Sequence, residues 1–289
     1  MYTSKHKFLI GIDSDGCAFD TMELKHKECF APNIIHYWGL KGISKYAREA
    51  IEFVNLYSKS RGINRFPALI EVFDWLRRRP AVRDRGVCPE LPASLIEWVK
   101  AETKLGNPAL KKAVEATGDP GLAQTLAWSE AVNETIDQIV GDGVPPFPFV
   151  RECLEKVLGR ADALVVSATP QAALVREWEN QNLLPLVAAI CGQEVGTKKE
   201  SLQLAQKEGN YPPNHVLMVG DAPGDYNAAI ANAALFFPIN PGAEEKSWER
   251  LYNEGLDRFF NETFAGDYQK QLLDEFNTYL PANPPWEVI

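Results

Sequence analysis

Cysteine is scarce in this chain of 289 residues. Cys17, Cys29, Cys88, Cys153 and Cys191 are scattered, odd in number and form no C-x-x-C pair. They read as reduced thiols of a cytosolic protein rather than a disulfide framework. A long basic run is missing too, and the net charge is −9. That balance argues against a nucleic-acid or anionic-membrane partner. It leaves a small anionic substrate open, because a local pocket can oppose the overall sign. No stretch is long and apolar enough to span a bilayer. The opening MYTSKHKFLIGID holds too short an apolar run for a signal peptide. A cytoplasmic location is therefore expected. Internal repeats and low-complexity segments are absent, and the oligomeric state stays open.

What is present is a globular composition, 45% hydrophobic and 24% charged, on a chain long enough for one large domain or two ordinary ones. Apolar strands alternate with helices in two separated regions. The first holds one strand, FLIGI. The second holds four, in ALVVSATP, LVAAICG, HVLMVGD and ALFFPIN. Buried strands alternating with helices signal an α/β fold with an open parallel sheet. Between the regions the periodicity is helical. Ile43, Tyr46, Ala47, Ala50, Ile51, Val54 and Tyr57 mark one helix, and Phe66, Leu69, Ile70, Phe73 and Leu76 another. Further helices are expected over Pro92–Leu105, Pro108–Thr117 and Gly121–Val140. The glycine- and proline-rich GDGVPPFPF, residues 141–149, reads as a hinge. The predicted organisation is a discontinuous α/β domain (1–21 and 148–242), an inserted helical domain (22–147) and an aromatic C-terminal extension of helices (243–289) packed on the α/β core.

Three of these strands end in polar residues: Asp13 and Asp15, Ser167, and Asp221. In an open parallel sheet such ends line one crevice where ligands bind. VGDAPGD adds Asp225 one helical turn on, and VGTKKES adds Lys198 and Lys199. Several carboxylates with little histidine or thiolate suit Mg²⁺. A lysine and a hydroxyl beside them suit a phosphoryl group.

The four motifs IGIDSDG, LVVSATP, GTKKESL and VGDAPGD, in this order, resemble those of the haloacid dehalogenase (HAD) superfamily of phosphohydrolases. The resemblance covers roughly residues 8–21 and 147–241. It implies a Rossmann-like core with an inserted α-helical cap. Cys17 stands where that family usually has Thr or Val. The resemblance implies a Mg²⁺-dependent phosphohydrolase acting on a small phosphorylated metabolite. Asp13 would be the nucleophile that becomes an aspartyl-phosphate, and Asp15 the general acid and base. Ser167 would bind a phosphoryl oxygen. Lys198, favoured over Lys199 by its spacing to Leu202, would neutralise charge. The metal would be held by Asp13, the backbone carbonyl of Asp15, and Asp221, with Asp225 orienting the lysine or the metal shell. Arg61 and Arg65, close together in SRGINRF, are candidates to hold a second anionic group of the substrate. Phosphonate hydrolase chemistry using Lys25 or Lys27, a phosphomutase, and a non-catalytic HAD-like binding or signalling protein are the alternatives.

Overall fold

The computed structural model describes residues 3–141 and 143–287. Asp142, within the expected hinge, lies outside the described residues, as do the first two and last two positions. Among the described residues, five strands form one parallel sheet: β1 (Phe8–Ile12), β2 (Ala161–Val166), β3 (Ala189–Cys191), β4 (Val216–Gly220) and β5 (Leu235–Pro238). Their order is β3-β2-β1-β4-β5.

Both faces of the sheet are covered, which explains why its strands are apolar at nearly every position instead of alternating with polar residues. Ile10, Ile12, Ala163, Val165, Leu217, Val219 and Phe237 point to one face. There they meet Leu154, Leu174, Trp178, Trp248 and Phe259, from helices on either side of the sheet in sequence. Leu9, Leu164, Val166, Met218 and Phe236 point to the other face and meet Leu202, Ala205, Ala229 and Phe276. The aromatic residues that made the C-terminal region conspicuous, among them Trp248, Phe259, Phe264 and Phe276, are spent on these two cores. The burial of each large aromatic is worth several kcal/mol on the usual area scale, roughly 25 cal/mol per Å².

Two compact units emerge. Residues 3–22 with 143–280 make the α/β unit, and residues 23–141 with 281–287 make the helical unit. Its main helices are Ser44–Leu56, Arg65–Arg78, Ala93–Ala101, Asn107–Thr117 and Pro120–Ile139, close to the segments read from periodicity. They enclose a core built on Ile51, Val54, Phe66, Phe73, Leu76 and Trp128. Thr21–Leu24, a π-helical segment Lys25–Phe30 and Ala31–Tyr37 precede them. Among the described residues, no helix is long and apolar enough to cross a membrane.

Two boundaries differ from the sequence expectation. Residues 143–147 belong to the α/β unit, because Phe147 N–H donates to Ala18 O (3.0 Å) and Pro146 bridges to Phe19. The last residues, 281–287, leave the α/β core for the helical unit. Trp286 packs edge-on against Phe53, and the Arg79 guanidinium lies between the rings of Trp286 and Tyr46. Such a stack stabilises both the cation and the ring.

Candidate active site

The register of the sheet brings the key residues to one level. Ile12 pairs with Val165 of β2 and with Val219 of β4, so the three strands run out together. Asp13 N–H continues the ladder to Val219 O at 3.0 Å. Its carboxylate is only 4% exposed. Asp221 and Asp225 are fully buried. One oxygen from each of Asp13, Asp221 and Asp225 lies within 4.8 Å of the others.

Lys198 sits against this cluster. Its Nζ donates to Asp13 Oδ2 at 2.8 Å and to Asp225 Oδ1 at 2.6 Å. It is the first residue of the helix Lys198–Glu208 and is placed by a reciprocal cap. Thr197 Oγ1 accepts from Glu200 N–H while Glu200 accepts from Thr197 N–H. The T-x-x-E spacing announces this cap in the sequence. Lys199, one residue on, is exposed, and of the two lysines it is Lys198 that lies against the carboxylates.

Three carboxylates facing one ammonium leave a formal charge of about −2 in a buried space. The titration behaviour reflects that excess. Burial pushes the Asp13 carboxyl up to about 6, against the pull of Lys198 and with Asp221 and Asp15 adding to the push. Asp225 is likewise pushed up to about 6, by burial first and then by Asp13. Burial alone would lower the Lys198 pKa, but Asp13, Asp225 and Asp221 outweigh it and hold it above its ordinary value. An oxygen-only donor set with surplus negative charge fits a hard divalent cation such as Mg²⁺.

Asp15 lives apart from this cluster, although only Ser14 separates it from Asp13. Its Oδ1 accepts from Thr21 Oγ1, and its Oδ2 accepts from Thr169 Oγ1 at 2.9 Å. Gly16, at φ 77°, supplies the left-handed turn that lets the loop fold back on itself. Two tryptophans fix this loop. Trp178 Nε1 donates to Ser14 Oγ (2.9 Å) and Trp248 Nε1 donates to Cys17 O (2.7 Å). Cys17 itself is buried, its Sγ directed at Val219 O (3.7 Å), and serves as a small apolar filler. Ser167 is buried at the end of β2, where its Oγ accepts from Thr169 N–H at 3.3 Å.

Asp225 is both a helix-start residue and a site residue. Its Oδ2 accepts from Ala222 N–H (3.1 Å) and its Oδ1 receives Lys198. Gly220 makes this possible. A methyl group built on Gly220 would lie 2.4 Å from Asp225 Cβ and Cγ. Gly220→Ala should therefore dislodge Asp225 or distort the end of β4. The expected cost is about 1–3 kcal/mol of stability, together with loss of the Lys198–Asp225 contact. Thermal denaturation checks the first, and a wild-type melting curve would show that the strand end can yield.

The two arginines singled out from SRGINRF have internal partners instead of an open anion site. Arg61 is 2% exposed, and its Nη1 donates to Leu56 O at 2.7 Å. Arg65 Nη1 bonds Ser129 O, Ser129 Oγ and Asn133 Oδ1, and its guanidinium lies over the Phe30 ring. Burial lowers its pKa to about 10. Both tie the helical unit together, which corrects their assignment as substrate grips. Of Lys25 and Lys27, the two candidates for imine chemistry, Lys27 is paired with Glu23 one helical turn earlier. The residues missed in the sequence are Thr21 and Thr169, whose hydroxyls donate to Asp15, and the tryptophans behind the loop.

No protein-family profile and no curated protein matches the sequence. Solved structures do. A haloacid dehalogenase-like family hydrolase from Streptococcus pneumoniae matches with a TM-score of 0.51 at 10% identity, over 84% of this chain and 90% of that one. A haloacid dehalogenase-like family hydrolase from Xanthomonas campestris matches with 0.48 at 11% identity, over 91% and 98%. The L-2-haloacid dehalogenase from Xanthobacter autotrophicus matches with 0.41 at 13% identity, over 92% and 86%. At 10% identity the first of these likenesses is one of fold. With its β3-β2-β1-β4-β5 parallel sheet and the helical segment inserted after β1, the chain has the haloacid dehalogenase-like fold.

Proposed function

We propose that this protein is a Mg²⁺-dependent phosphohydrolase of a small phosphorylated metabolite, working through an aspartyl-phosphate on Asp13. One observation carries the reading. Asp13 and Asp15 stand two positions apart yet in opposite surroundings, the first against Lys198 in the acidic cluster, the second between two hydroxyl donors. Paired carboxylates placed in different environments are how one site runs nucleophilic and acid–base chemistry together.

In the first step an Asp13 oxygen attacks phosphorus. The bond from phosphorus to the ester oxygen breaks, its electron pair leaves with that oxygen, and the Asp15 proton completes the alcohol. In the second step water attacks the phosphorus of the aspartyl-phosphate and gives a proton to Asp15. Inorganic phosphate leaves and the Asp13 carboxylate returns. Lys198, fixed by Asp225, neutralises charge on the nucleophile and on the phosphoryl oxygens as both build up. Ser167, at the end of the neighbouring strand, would donate its hydroxyl to a phosphoryl oxygen. Asp13, Asp221 and Asp225, with the backbone carbonyl of Asp15, are the groups that would hold Mg²⁺, and the bound ion would supply Lewis-acid stabilisation of the phosphoryl charge. Phosphate monoesters hydrolyse so slowly in water that catalysis must lower the barrier by on the order of 20 kcal/mol. That demand suits a site with this many charges. A dehalogenase has no leaving group that needs a proton, so a held Asp15 favours phosphoryl transfer.

Activity against a panel of phosphoesters should vanish with a chelator and return with Mg²⁺. A second readout needs no turnover. A ligand that binds only the folded state at a hundredfold excess over its Kd stabilises it by about 2.7 kcal/mol. Mg²⁺ should therefore raise the melting temperature of the parent and leave that of Asp221→Asn almost unmoved. Without metal, Asp221→Asn should melt no lower than the parent, because it removes one of three crowded carboxylates. Full activity in chelator, or a parent melting curve indifferent to Mg²⁺, would contradict the metal assignment.

A further inference from the structure

Thr169 lies in the loop after β2, directly beside the loop after β1 that carries Asp15. Its side chain is half-buried and its hydroxyl donates to Asp15 Oδ2 at 2.9 Å. The other donor, Thr21, stands at the edge of the α/β unit, where the chain passes into the helical unit. Thr169 is anchored differently. Its N–H donates to Ser167 Oγ at 3.3 Å, and its carbonyl accepts from Gln193 N–H at 3.0 Å. Ser167 and Gln193 follow β2 and β3, so Thr169 is held from the body of the sheet.

An ordinary structural duty for this hydroxyl would be to cap the helix Gln171–Asn180. It does not do so: the N-cap is Pro170, and the first-turn N–H of Gln171 donates to Glu194 Oε2 at 2.9 Å instead. The Thr169 hydroxyl proton is used on Asp15. We propose that Thr169 is a positioning residue that aims the Asp15 carboxyl at the leaving oxygen, and so fits this site to phosphate esters of alcohols, whose leaving groups need a proton. This rests on the phosphohydrolase reading above.

The step concerned is proton transfer from Asp15 to the ester oxygen as the bond to phosphorus breaks. An aryl ester such as 4-nitrophenyl phosphate leaves as a stable anion and gains little from the acid. An alkyl ester such as glycerol phosphate depends on it. General acid catalysis is worth about 10²–10⁴-fold, and it decays when the donor is allowed to turn away.

The test compares kcat/KM on those two esters for the parent, Thr169→Val, Thr169→Ser and Asp15→Asn, with melting curves for all four. This ratio reports steps up to phosphoryl transfer and is blind to breakdown of the phosphoenzyme. Thr169→Val keeps the branched shape and loses the hydroxyl. The expected result is a fall of about tenfold to a hundredfold on the alkyl ester and of less than about threefold on the aryl ester, with Thr169→Ser close to the parent. A merely structural role would lower both ratios alike and lower the melting temperature. Equal losses on both esters, or no loss on the alkyl ester, would overturn the proposal. Asp15→Asn separates the two readings. If it discriminates strongly between the esters and Thr169→Val does not, the positioning role alone fails. If Asp15→Asn does not discriminate either, Asp15 is not the acid and the proposed mechanism fails with it.

Discussion

Asp13→Asn is expected to leave no measurable turnover on any phosphoester, whereas Asp15→Asn should keep a measurable rate on aryl phosphates. The difference follows from the surroundings of the two side chains. Asp13 Oδ2 is the atom on Lys198, inside the acidic cluster, and an amide there is no nucleophile. The loss should be complete within detection. Asp15 meets two hydroxyls, and replacing it removes the proton donor of the first step and the base of the second while leaving nucleophile, lysine and carboxylates in place. Its loss should amount to about 10²–10⁴-fold on alkyl esters. Steady-state rates on both ester classes are the check. If Asp13→Asn retains turnover while Asp15→Asn has none, the two roles are exchanged.

Lys198→Ala carries the second large effect. The ammonium bridges Asp13 and Asp225 at 2.8 and 2.6 Å, and without it the buried carboxylates face one another unrelieved. Breaking a buried pair from one side costs about 3–5 kcal/mol when the charge left behind stays ionised. Here Asp13 and Asp225, already pushed up to about 6, can take up protons instead and soften that loss. Turnover has no such relief, because a protonated Asp13 is a poor nucleophile and the phosphoryl charge goes unmatched. A fall of about 10³-fold or more in kcat is expected, in line with the loss of a preorganised charge from a closed site. Lys198→Arg should recover folding but little turnover, since a planar guanidinium cannot reproduce a point charge between two carboxylates. Lys199→Ala should be mild on both counts. The reverse ranking of the two lysines in kcat would move the role to Lys199.

The strand ends were the legible part of this molecule. Aspartate is rare in buried strands, so Asp13 and Asp221 closing apolar runs stood out, and the structure sets both at the same edge of the sheet. Helix periodicity placed the inserted helices to within a few residues, because each has one apolar face on a single core. Other features depend on partners far away in sequence. The start of β2 was missed because Asp162 interrupts its apolar run. That carboxylate is buried and accepts from Lys5 N–H, His6 N–H and Tyr211 OH, and no local signal announces such partners. Arg61 and Arg65 were read as a substrate grip because a sequence does not distinguish a buried guanidinium on a carbonyl from an exposed one awaiting an anion. Residues 143–147 looked like a free hinge, since proline and glycine mark irregular backbone equally well whether it is loose or packed. Thr169 was in plain view within SATP. What made it interesting, a bond across 154 positions to Asp15, exists only in the fold.

The central claim is that a phosphoryl group rests covalently on Asp13 during turnover. Rapid acid quenching of the wild-type protein with Mg²⁺ and a phosphate-labelled aryl ester, followed by peptide mapping, tests it most directly. The account predicts acid-stable, base-labile label on the peptide containing Asp13, absent when the metal is chelated and absent in Asp13→Asn. Label that survives Asp13→Asn, or hydrolysis by the wild type with no trapped phosphoenzyme under conditions that slow its breakdown, would contradict it.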